Sequence, residues 1–373
     1  MVVSKNRNAQ LIIDKTAIFN NISNKIKRLK SGTEMFMVVK ADAYGHGAVQ
    51  VAAIAKAAGA TGFCVALLDE AIELREAGFV EEPILVLGIT DVELLPVIEK
   101  YDVTVTVSSL KWILDSKRLM PELNLHKPIK IFLALDTGMG RIGLRNLAEV
   151  QEFVGNVEND ELINLQGVYT HFSTADSADN SYFEGQVQQF KKLMQGFKTK
   201  PRYVSVANSA TSLWHDYTGS NVIRYGISAY GLNPSGEALE SPFKLEPALS
   251  FTSELVYVKK VTAESSIGYG ATYQANEAEW IGTVPVGYAD GVSRKMQGFE
   301  VLVNGIRCPI VGRVCMDQFM IRLPQEFAVG TQVTIVGKDH DQVITLQDLA
   351  NQCGTIHYEI ACGFSNRLPR VYR

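Results

Sequence analysis

The repeating unit of the fold can be read in residues 35–66, MFMVVKADAYGHGAVQVAAIAKAAGATGFCVA. The apolar run Met35–Val39 predicts a buried strand, and a second run, Gly62–Ala66, predicts another. Between them, His46–Ala58 has the apolar spacing of a helix. The stretch therefore predicts a strand, a helix and a second strand, which is the unit from which parallel sheets are built.

The same alternation continues through the first two thirds of the chain. Further strand-like runs are Ile84–Gly88, Val103–Val107, Ile129–Leu135, Leu165–Thr170, Tyr203–Ala207 and Val222–Arg224. Helical patterns alternate with them, among them Thr16–Leu29, Asp69–Ala77, Leu147–Gly155 and Phe183–Phe197. The eight strand-helix units between residues 12 and 241 predict an α/β fold. They favour a closed (β/α)8 barrel of the TIM type over an open doubly wound sheet.

The pattern changes after Pro242. Runs broken by glycine and asparagine predict strands at Leu255–Val261, Trp280–Val286, Glu300–Val303 and Val333–Val336, and a short helix at Leu346–Gln352. We therefore expect a first domain of residues 12–241 and a mainly β domain of residues 242–373. Residues 1–11 are expected to pack on the second domain, and the stretch from Pro242 to Pro247 is the expected hinge.

Composition excludes several classes of function. A net charge of −4 and a pI near 5.9 provide no basic field for nucleic acid or an acidic membrane surface. No apolar run reaches the roughly 20 residues that span a bilayer, and no export signal is indicated. The five cysteines are odd in number and show no Cys-x-x-Cys pair, which argues against a disulfide framework or a zinc ribbon. We expect a cytoplasmic protein with reduced thiols and no metal.

Polar side chains follow the predicted strands at the points where the strands end. Lys40 comes directly after the first strand, His171 after the sixth and Arg224 at the end of the eighth. The C-terminal ends of barrel strands meet at one mouth, where barrel enzymes place their reactive groups, so these side chains should converge. Partial burial there would lower the pKa of a lysine and make it nucleophilic. Taken singly, each could instead be a surface lysine, a helix cap or a member of an ion pair.

The loop Gly138-Met139-Gly140-Arg141-Ile142-Gly143 has the spacing of a dinucleotide-binding glycine motif. That motif belongs to the first strand-helix turn of its unit, whereas this loop follows the fifth strand and contains a bulky arginine. The favoured interpretation is a tight loop that holds Arg141 over a carboxylate, because a guanidinium can bind two oxygens at once.

Two other loops have the features of a phosphate site. Asn208 and Ser209 follow the seventh predicted strand, and Gly226 and Ile227 follow the eighth. Barrels commonly bind phosphate in these two loops through backbone N–H groups and a hydroxyl. Ser209 could instead serve only as a helix N-cap.

The second domain contains two glycine-flanked runs with chemically useful side chains. Tyr269 lies in residues 267–273, IGYGATY, and Met316 and Asp317 lie in residues 312–317, GRVCMD. Such a tyrosine is more often a packed aromatic than a base. A phenol, with an ordinary pKa of about 10, accepts a proton at neutral pH only beside cationic groups.

Together these segments resemble the alanine racemase family, whose members combine a barrel that carries pyridoxal 5'-phosphate (PLP) with a β domain. The resemblance runs from Leu11 to Arg370, and residues 39–47, VKADAYGHG, carry its most specific signature. It implies that Lys40 holds the cofactor covalently and moves a proton on the D face of the substrate's α-carbon. Tyr269 should do the same on the L face, because racemisation requires a base on each side.

The resemblance also implies how cofactor and substrate are held. Arg224 should contact the pyridine nitrogen and form a hydrogen bond with His171. Because a permanently charged arginine cannot readily protonate that nitrogen, electron withdrawal by the ring would be weaker than with an aspartate partner. The cofactor phosphate is matched by Tyr44, Ser209, Gly226, Ile227 and Tyr358. The substrate is matched by Arg141 and by the Met316-Asp317 pair, with the Met316 backbone on the carboxylate.

Two further points follow from the resemblance. In this family Tyr269 and Met316 reach the barrel mouth of the other subunit, which implies a head-to-tail homodimer with shared active sites. Many members also have a carbamylated lysine two residues before the aspartate of the Asp-Thr-Gly-Met-Gly-Arg motif, where this chain has Ala134. Alanine cannot be carbamylated, so we expect a bound anion such as chloride, or a nearby acidic side chain, to balance Arg141.

The resemblance thus implies racemisation of alanine, which would supply D-alanine for peptidoglycan. A serine or broad-specificity amino-acid racemase is the main alternative, because a pocket rejects an added hydroxyl only weakly. A PLP carrier without turnover is a second alternative, although a carrier would not need the C-terminal domain with Tyr269. Signatures of the PLP decarboxylases of related architecture do not occur.

Overall fold

A computed structural model describes residues 2–215 and 219–373 of the 373-residue chain. It divides into two compact units. The first, which we call the barrel unit, comprises Ile18–Ala43 and Gly47–Glu246. The second, the β unit, comprises the residues before Ile18 together with Tyr44–His46 and Pro247–Arg373.

The first regular element is strand β1, Gln10–Ile13, which belongs to the β unit. The parallel sheet of the barrel unit then contains β2 (Glu34–Val38), β3 (Gly62–Val65), β4 (Ile84–Ile89), β5 (Thr104–Val107), β6 (Ile129–Ala134), β7 (Ile163–Tyr169), β8 (Tyr203–Ser205) and β9 (Val222–Tyr225). Their spatial order is β8-β7-β6-β5-β4-β3-β2-β9. All eight strands predicted for this part of the sequence are confirmed.

The two ends of this order meet at Ala207 and Ile223, which form a parallel bridge just beyond β8. The amide of Arg224 donates to the Ala207 carbonyl oxygen at 2.8 Å, and the amide of Asn221 donates to that of Val204 at 3.0 Å. The strands therefore form a nearly closed (β/α)8 barrel, which confirms the predicted fold class.

The barrel strands are stabilised by the burial of apolar residues on both of their faces. All four residues of β3 and all four of β5 are buried, which is typical of parallel strands with helices outside and packed side chains inside. Tyr203 packs on Phe36 and Phe132, with ring centroids 5.2 Å and 5.7 Å apart. A Cβ at Gly167 would lie 2.4 Å from the Phe132 ring, so only glycine fits beside this cluster. Truncating one of these rings to alanine would cost about 3–5 kcal/mol.

Helices alternate with the barrel strands. They are α1 (Lys15–Ile26), α2 (Lys40–Gly45), α3 (Ala48–Ala57), α4 (Leu68–Glu76), α5 (Leu95–Lys100), α6 (Leu110–Leu119), α7 (Leu147–Val157), α8 (Ser181–Leu193) and α9 (Ser209–Trp214). At the start of α7 the Asn146 side chain accepts a hydrogen bond from the Glu149 amide at 2.9 Å, and the Glu149 carboxylate accepts one from the Asn146 amide at 3.4 Å. This reciprocal cap fixes the first turn and directs Val150 and Phe153 into the core.

The β unit is dominated by a large, mostly antiparallel sheet. Its further strands are β10 (Leu249–Glu254), β11 (Tyr257–Val261), β12 (Ser266–Ile267), β13 (Tyr273–Gln274), β14 (Glu279–Val284), β15 (Glu300–Val303), β16 (Ile306–Val311), β17 (Phe319–Leu323), β18 (Gln332–Asp339), β19 (Gln342–Ile344) and β20 (Arg370–Tyr372). Helices α10 (Leu346–Cys353) and α11 (His357–Gly363) precede the last strand. The predicted mainly β character of this region is confirmed.

The main sheet runs in the order β11-β14-β17-β16-β15-β18-β10-β1-β20, and β12 pairs separately with β13. The N-terminal β1 lies between β10, to which it is antiparallel, and β20, to which it is parallel. Among the described residues there is no disulfide bond, and no helix is long and apolar enough to cross a bilayer.

Candidate active site

The polar residues of the barrel unit lie at the C-terminal ends of its strands, as the sequence predicts. Lys40 comes two residues after β2, His171 two residues after β7 and Asn208 three residues after β8, while Arg224 is the third residue of β9. Parallel strands place all of these positions at the same mouth of the barrel. The roles assigned to them stay predictions.

Lys40 opens a short helix of the opposite hand to an ordinary one. Residues 41–44 have φ between 52° and 54°, although none of them is glycine. A left-handed turn costs L-amino acids roughly 1–2 kcal/mol per residue, so the surrounding structure must hold it in place. Such strain is concentrated at functional sites, where it fixes a side chain in a particular direction.

A carboxylate on α4 holds the start of this turn. One oxygen of Glu70 accepts the Ala41 amide at 2.7 Å, and the other accepts the amides of Ala66 at 2.7 Å and Leu67 at 3.1 Å. Glu70 therefore ties the residue after Lys40 to the loop after β3. Sequence reasoning missed this residue, because its partners are backbone amides and leave no side-chain pattern.

The end of the turn is fixed by Asp42. Its carboxylate accepts the Ala48 amide at 2.8 Å, and its carbonyl oxygen accepts the Gly47 amide at 2.8 Å. The predicted helix at His46–Ala58 therefore begins two residues late, at Ala48, because Gly47 has φ 97° and cannot be part of a right-handed helix.

Arg224 is buried, with 4% of its side chain exposed. Its Nη1 donates to the Ser205 carbonyl oxygen at 2.8 Å and to the Ser205 hydroxyl at 2.6 Å, and its Nη2 donates to the Thr170 carbonyl oxygen at 2.8 Å. The guanidinium also lies 5.1 Å from the centre of the Tyr169 ring. No residue in the described ranges accepts a hydrogen bond from Nε, which leaves that donor available for a ligand.

His171 lies between two donors. Arg224 Nη2 is 3.5 Å from its Nδ1, and Asn208 Nδ2 is 3.3 Å from its Nε2. Burial, followed by the charges of Arg224, Arg141 and Lys40, lowers the pKa of His171 to about 3. The ring is therefore neutral at physiological pH, and a neutral imidazole accepts at one nitrogen only, so just one of the two contacts is a hydrogen bond. The charges of Lys40, Arg141 and Arg224 therefore all act on His171.

The two predicted phosphate loops meet at Ser209. Its hydroxyl oxygen accepts the Gly226 amide at 2.9 Å, so the hydroxyl hydrogen remains for another acceptor. Asn208, not Ser209, caps α9, because the Asn208 side chain accepts the Thr211 amide at 2.8 Å. The alternative that Ser209 serves as the N-cap is therefore wrong. Ile227 follows Gly226 and is buried.

The glycine loop after β6 is organised by Asp136 and leaves Arg141 exposed. One Asp136 oxygen accepts the amides of Gly138 at 3.0 Å and Gly140 at 2.9 Å, and the other lies 3.6 Å from Arg145 Nε. Arg141 forms no hydrogen bond or ion pair with a described residue, so Asp136 does not provide the expected acidic partner. The last residue of β6 is Ala134, which is fully buried.

The remaining predicted residues belong to the β unit. The rings of Tyr44 and Tyr358 lie 6.2 Å apart, which brings together two of the predicted phosphate contacts. Tyr269 is 71% exposed and lies between Gly268 and Gly270, whose φ values are 77° and 76°.

Met316 and Asp317 lie in the β unit's second glycine-flanked run. Met316 is 53% exposed, and the Asp317 carboxylate accepts a hydrogen bond from Arg367 Nη1 at 2.9 Å. The exposed side chains of Met316 and Tyr269 therefore leave surface available for another molecule.

A second residue that sequence reasoning missed is Gln186 on α8. It is buried, its amide donates to the His171 carbonyl oxygen at 3.2 Å, and its oxygen accepts the Ser173 amide at 2.9 Å. A signal was present: Gln186 shares the buried face of its helix with Phe183 and Phe190. A polar residue on that apolar stripe needs buried partners.

Family models match nearly all of the chain. The alanine racemase N-terminal domain matches residues 13–234, and the alanine racemase C-terminal domain matches residues 248–372. The chain belongs to the alanine racemase family. It is 54% identical to an alanine racemase from Levilactobacillus brevis over the full length of both chains. The crystal structure of alanine racemase from E. faecalis has a TM-score of 0.97 and 53% identity and covers all of both chains.

As a member of the alanine racemase family, the protein is an enzyme of the isomerase class, and the predicted function agrees with these relatives. A protein of the same fold is named as a racemase of a different amino acid. A histidine racemase from Leuconostoc mesenteroides subsp. sake has a TM-score of 0.93 and 31% identity, with 100% of this chain and 99% of that chain covered. The fold by itself therefore does not determine which amino acid is bound.

Proposed function

We propose that this chain interconverts L-alanine and D-alanine with PLP as its cofactor and one proton carrier on each face of the substrate. The observation that carries the proposal is the cluster at the barrel mouth, where Lys40, Arg141 and Arg224 act together on His171. A cationic mouth suits a cofactor phosphate and a substrate carboxylate, both of which are anions.

The residues at the strand ends fit PLP. Nε of Arg224 is a donor that can face the pyridine nitrogen, and the spare hydrogen of the Ser209 hydroxyl can face the phosphate. The Lys40 amine would hold the cofactor's aldehyde carbon. The full proposed set of cofactor contacts is Lys40, Tyr44, His171, Asn208, Ser209, Arg224, Gly226, Ile227 and Tyr358. When bound, PLP withdraws electrons from the substrate and so makes the hydrogen on its α-carbon acidic.

Lys40 and Tyr269 are the proposed proton carriers. The Lys40 amine takes or gives the proton on the D face of the α-carbon, and the Tyr269 phenol does so on the L face. Loss of the proton on one side and gain on the other inverts the carbon. A phenol takes part in proton transfer at neutral pH only beside cationic groups.

Arg224 limits the reaction to proton transfer. A guanidinium keeps its protons at all working pH values, so it orients the ring without protonating the pyridine nitrogen. His171 supports this role as a neutral group, because burial and neighbouring cations hold its pKa near 3. Weaker electron withdrawal then disfavours transamination.

Substrate binding is assigned to Arg141, with Met316 and Asp317 from the β unit. Arg141 has an exposed guanidinium that is not engaged by the described residues, so two oxygens of a carboxylate can bind to it. A serine or broad-specificity racemase is the second candidate. It is supported by the histidine racemase of the same fold, because that protein is named for an amino acid other than alanine. The alternative of a PLP carrier without turnover does not explain why the Tyr269 side chain is exposed.

We further propose a head-to-tail homodimer in which Tyr269 and Met316 complete the partner's site. Their large exposed side chains support this proposal, since both are apolar or aromatic groups that association would cover. Residues 12–241 and 242–373, with residues 1–11 on the latter, are the proposed domains. A cytoplasmic enzyme that supplies D-alanine for peptidoglycan is the proposed biological setting.

Exchange of the α-hydrogen in deuterated water tests the two-carrier scheme. We expect Tyr269→Phe to slow exchange from L-alanine more than exchange from D-alanine, while Lys40→Ala abolishes both. Tyr273→Phe is the matched control, because Tyr273 lies in the same run and its hydroxyl bonds to Glu279 at 2.9 Å. Equal loss from both enantiomers in Tyr269→Phe would show that the roles are wrongly assigned.

A further inference from the structure

The barrel unit contains a cavity of about 630 Å³ between the end of α1 and helix α9. None of the described residues that line it is a proposed contact of the cofactor or substrate. Its volume lies within the roughly 300–1,000 Å³ that is typical of small-molecule sites. The cavity therefore raises the question of a separate ligand.

Three cationic side chains line this cavity, Lys25, Arg28 and Lys30, and no acidic residue is among its described lining residues. Lys25 and Arg28 form no ion pair with any residue in the ranges 2–215 and 219–373. The charge of Arg28 acts unfavourably on Lys25, and an anion bound beside the two would compensate both charges.

Lys25 is the buried member of this group, with 6% of its side chain exposed. Its amine donates a hydrogen bond to the Ser212 carbonyl oxygen at the end of α9. Burial, followed by the charge of Arg28, lowers the pKa of Lys25 to about 8. Keeping a lysine in such a place is unfavourable unless a partner of opposite charge compensates it.

The other walls offer aromatic surface and a hydroxyl. Arg28 lies 4.6 Å from the centre of the Phe243 ring. Trp214 also lines the cavity, and its indole N–H donates to the Glu240 carbonyl oxygen at 3.0 Å. The hydroxyl of Thr211 is buried and has no partner among the described residues. Flat apolar groups pack well on such rings.

We propose that this cavity binds a small organic anion that carries a phosphate or carboxylate group next to a flat apolar part. The cations of Lys25 and Arg28 bind the anionic group, and Trp214 and Phe243 pack on the apolar part. The site is distinct from the proposed catalytic centre, and its occupancy does not depend on which amino acid the enzyme racemises.

Binding can be followed by tryptophan fluorescence of the PLP-loaded full chain at constant ionic strength. Phenyl phosphate and benzoate serve as probes, and benzyl alcohol is the uncharged analogue. We expect a saturable change with at least one of the two anions and none with the alcohol. Trp214→Phe should remove the signal, because Trp112 and Trp280 do not line the cavity.

Charge-removing variants then locate the binding. Arg28→Gln and Lys25→Gln should weaken the anion about tenfold or more, since each removes a charge-assisted contact. Lys27→Gln is the matched control: Lys27 is exposed and adjacent in sequence but does not line the cavity. Arg28 is also exposed, so its variant tests the site even if Lys25→Gln fails to fold. Equal affinity in Arg28→Gln and Lys27→Gln, or equal binding of benzyl alcohol, would overturn the proposal.

Discussion

The guanidinium of Arg224 lies 3.5 Å from the imidazole of His171, and the folded structure lowers the pKa of that imidazole from its ordinary 6.5 to about 3. An unfolded chain therefore binds the proton of His171 at a higher pH than the folded chain does. Because the folded pKa is the lower one, stability that is present above pH 6.5 is lost as the pH falls from about 6.5 towards 3. Burial also lowers the pKa of His357 to about 4, which adds a loss in the same direction.

We predict that His171→Gln makes the stability of the protein less dependent on pH in this window. The measurement is the urea midpoint of the wild type and the variant at about pH 7.5 and pH 5.5. His126→Gln is the control, since His126 is exposed. An identical pH dependence in wild type and His171→Gln would contradict the assignment of a depressed pKa to His171.

Arg224→Lys should be destabilising although it conserves charge. An ammonium cannot reach the two Ser205 acceptors and the Thr170 carbonyl oxygen that the guanidinium fork binds at 2.6–2.8 Å. We expect the free energy of unfolding to fall by about 2 kcal/mol or more, because a hydrogen bond to a charged group contributes roughly 1.5–3 kcal/mol. Arg202→Lys, at an exposed position beside Tyr203, should change little. Equal unfolding midpoints for the two variants would argue against the fork.

Glu70 is predicted to position Lys40 through the backbone. Glu70→Ala removes the acceptor of the Ala41, Ala66 and Leu67 amides and should let the left-handed turn relax. We expect kcat to fall about tenfold or more, because small displacements of a reacting group are costly. Glu73→Ala, one turn further on the same helix and exposed, is the control. If both variants retained full kcat, Glu70 would have no positioning role.

We predict that Ala134, at the position where the family resemblance implies a carbamylated lysine, leaves room for an anion. Arg141 has no described partner, and Asp136 is engaged with the glycine amides and Arg145. Crystals soaked in bromide should therefore show an anomalous peak beside the Arg141 guanidinium. A map without such a peak would exclude the halide and leave the balance of Arg141 to another group.

The positions of the barrel strands could be predicted from the sequence, because parallel strands that are buried on both faces appear as continuous apolar runs. Ile84–Gly88 and Gly62–Ala66 are predicted almost to the residue, and the observed strands are Ile84–Ile89 and Gly62–Val65. The placement of Lys40 and His171 at strand ends follows from the same pattern, since each comes directly after an apolar run.

The left-handed turn after Lys40 could not be predicted from the sequence. Ala41 and Tyr44 have no local preference for positive φ, so only contacts distant in sequence can impose it. Glu70 is one such contact, and its acceptor role toward backbone amides has no sequence signature. Gln186 is different, because a polar residue on the apolar face of a predicted helix is a visible signal of a buried hydrogen-bond network.

We propose that this member of the alanine racemase family racemises alanine through Lys40. The most direct test follows the optical activity of L-alanine, L-serine and L-histidine with the PLP-loaded protein and with Lys40→Ala. We predict that the alanine signal decays to zero, that serine decays more slowly, and that neither changes in the variant. A faster decay of serine or histidine would contradict the assignment of alanine as substrate, and undiminished activity in Lys40→Ala would contradict the role of Lys40.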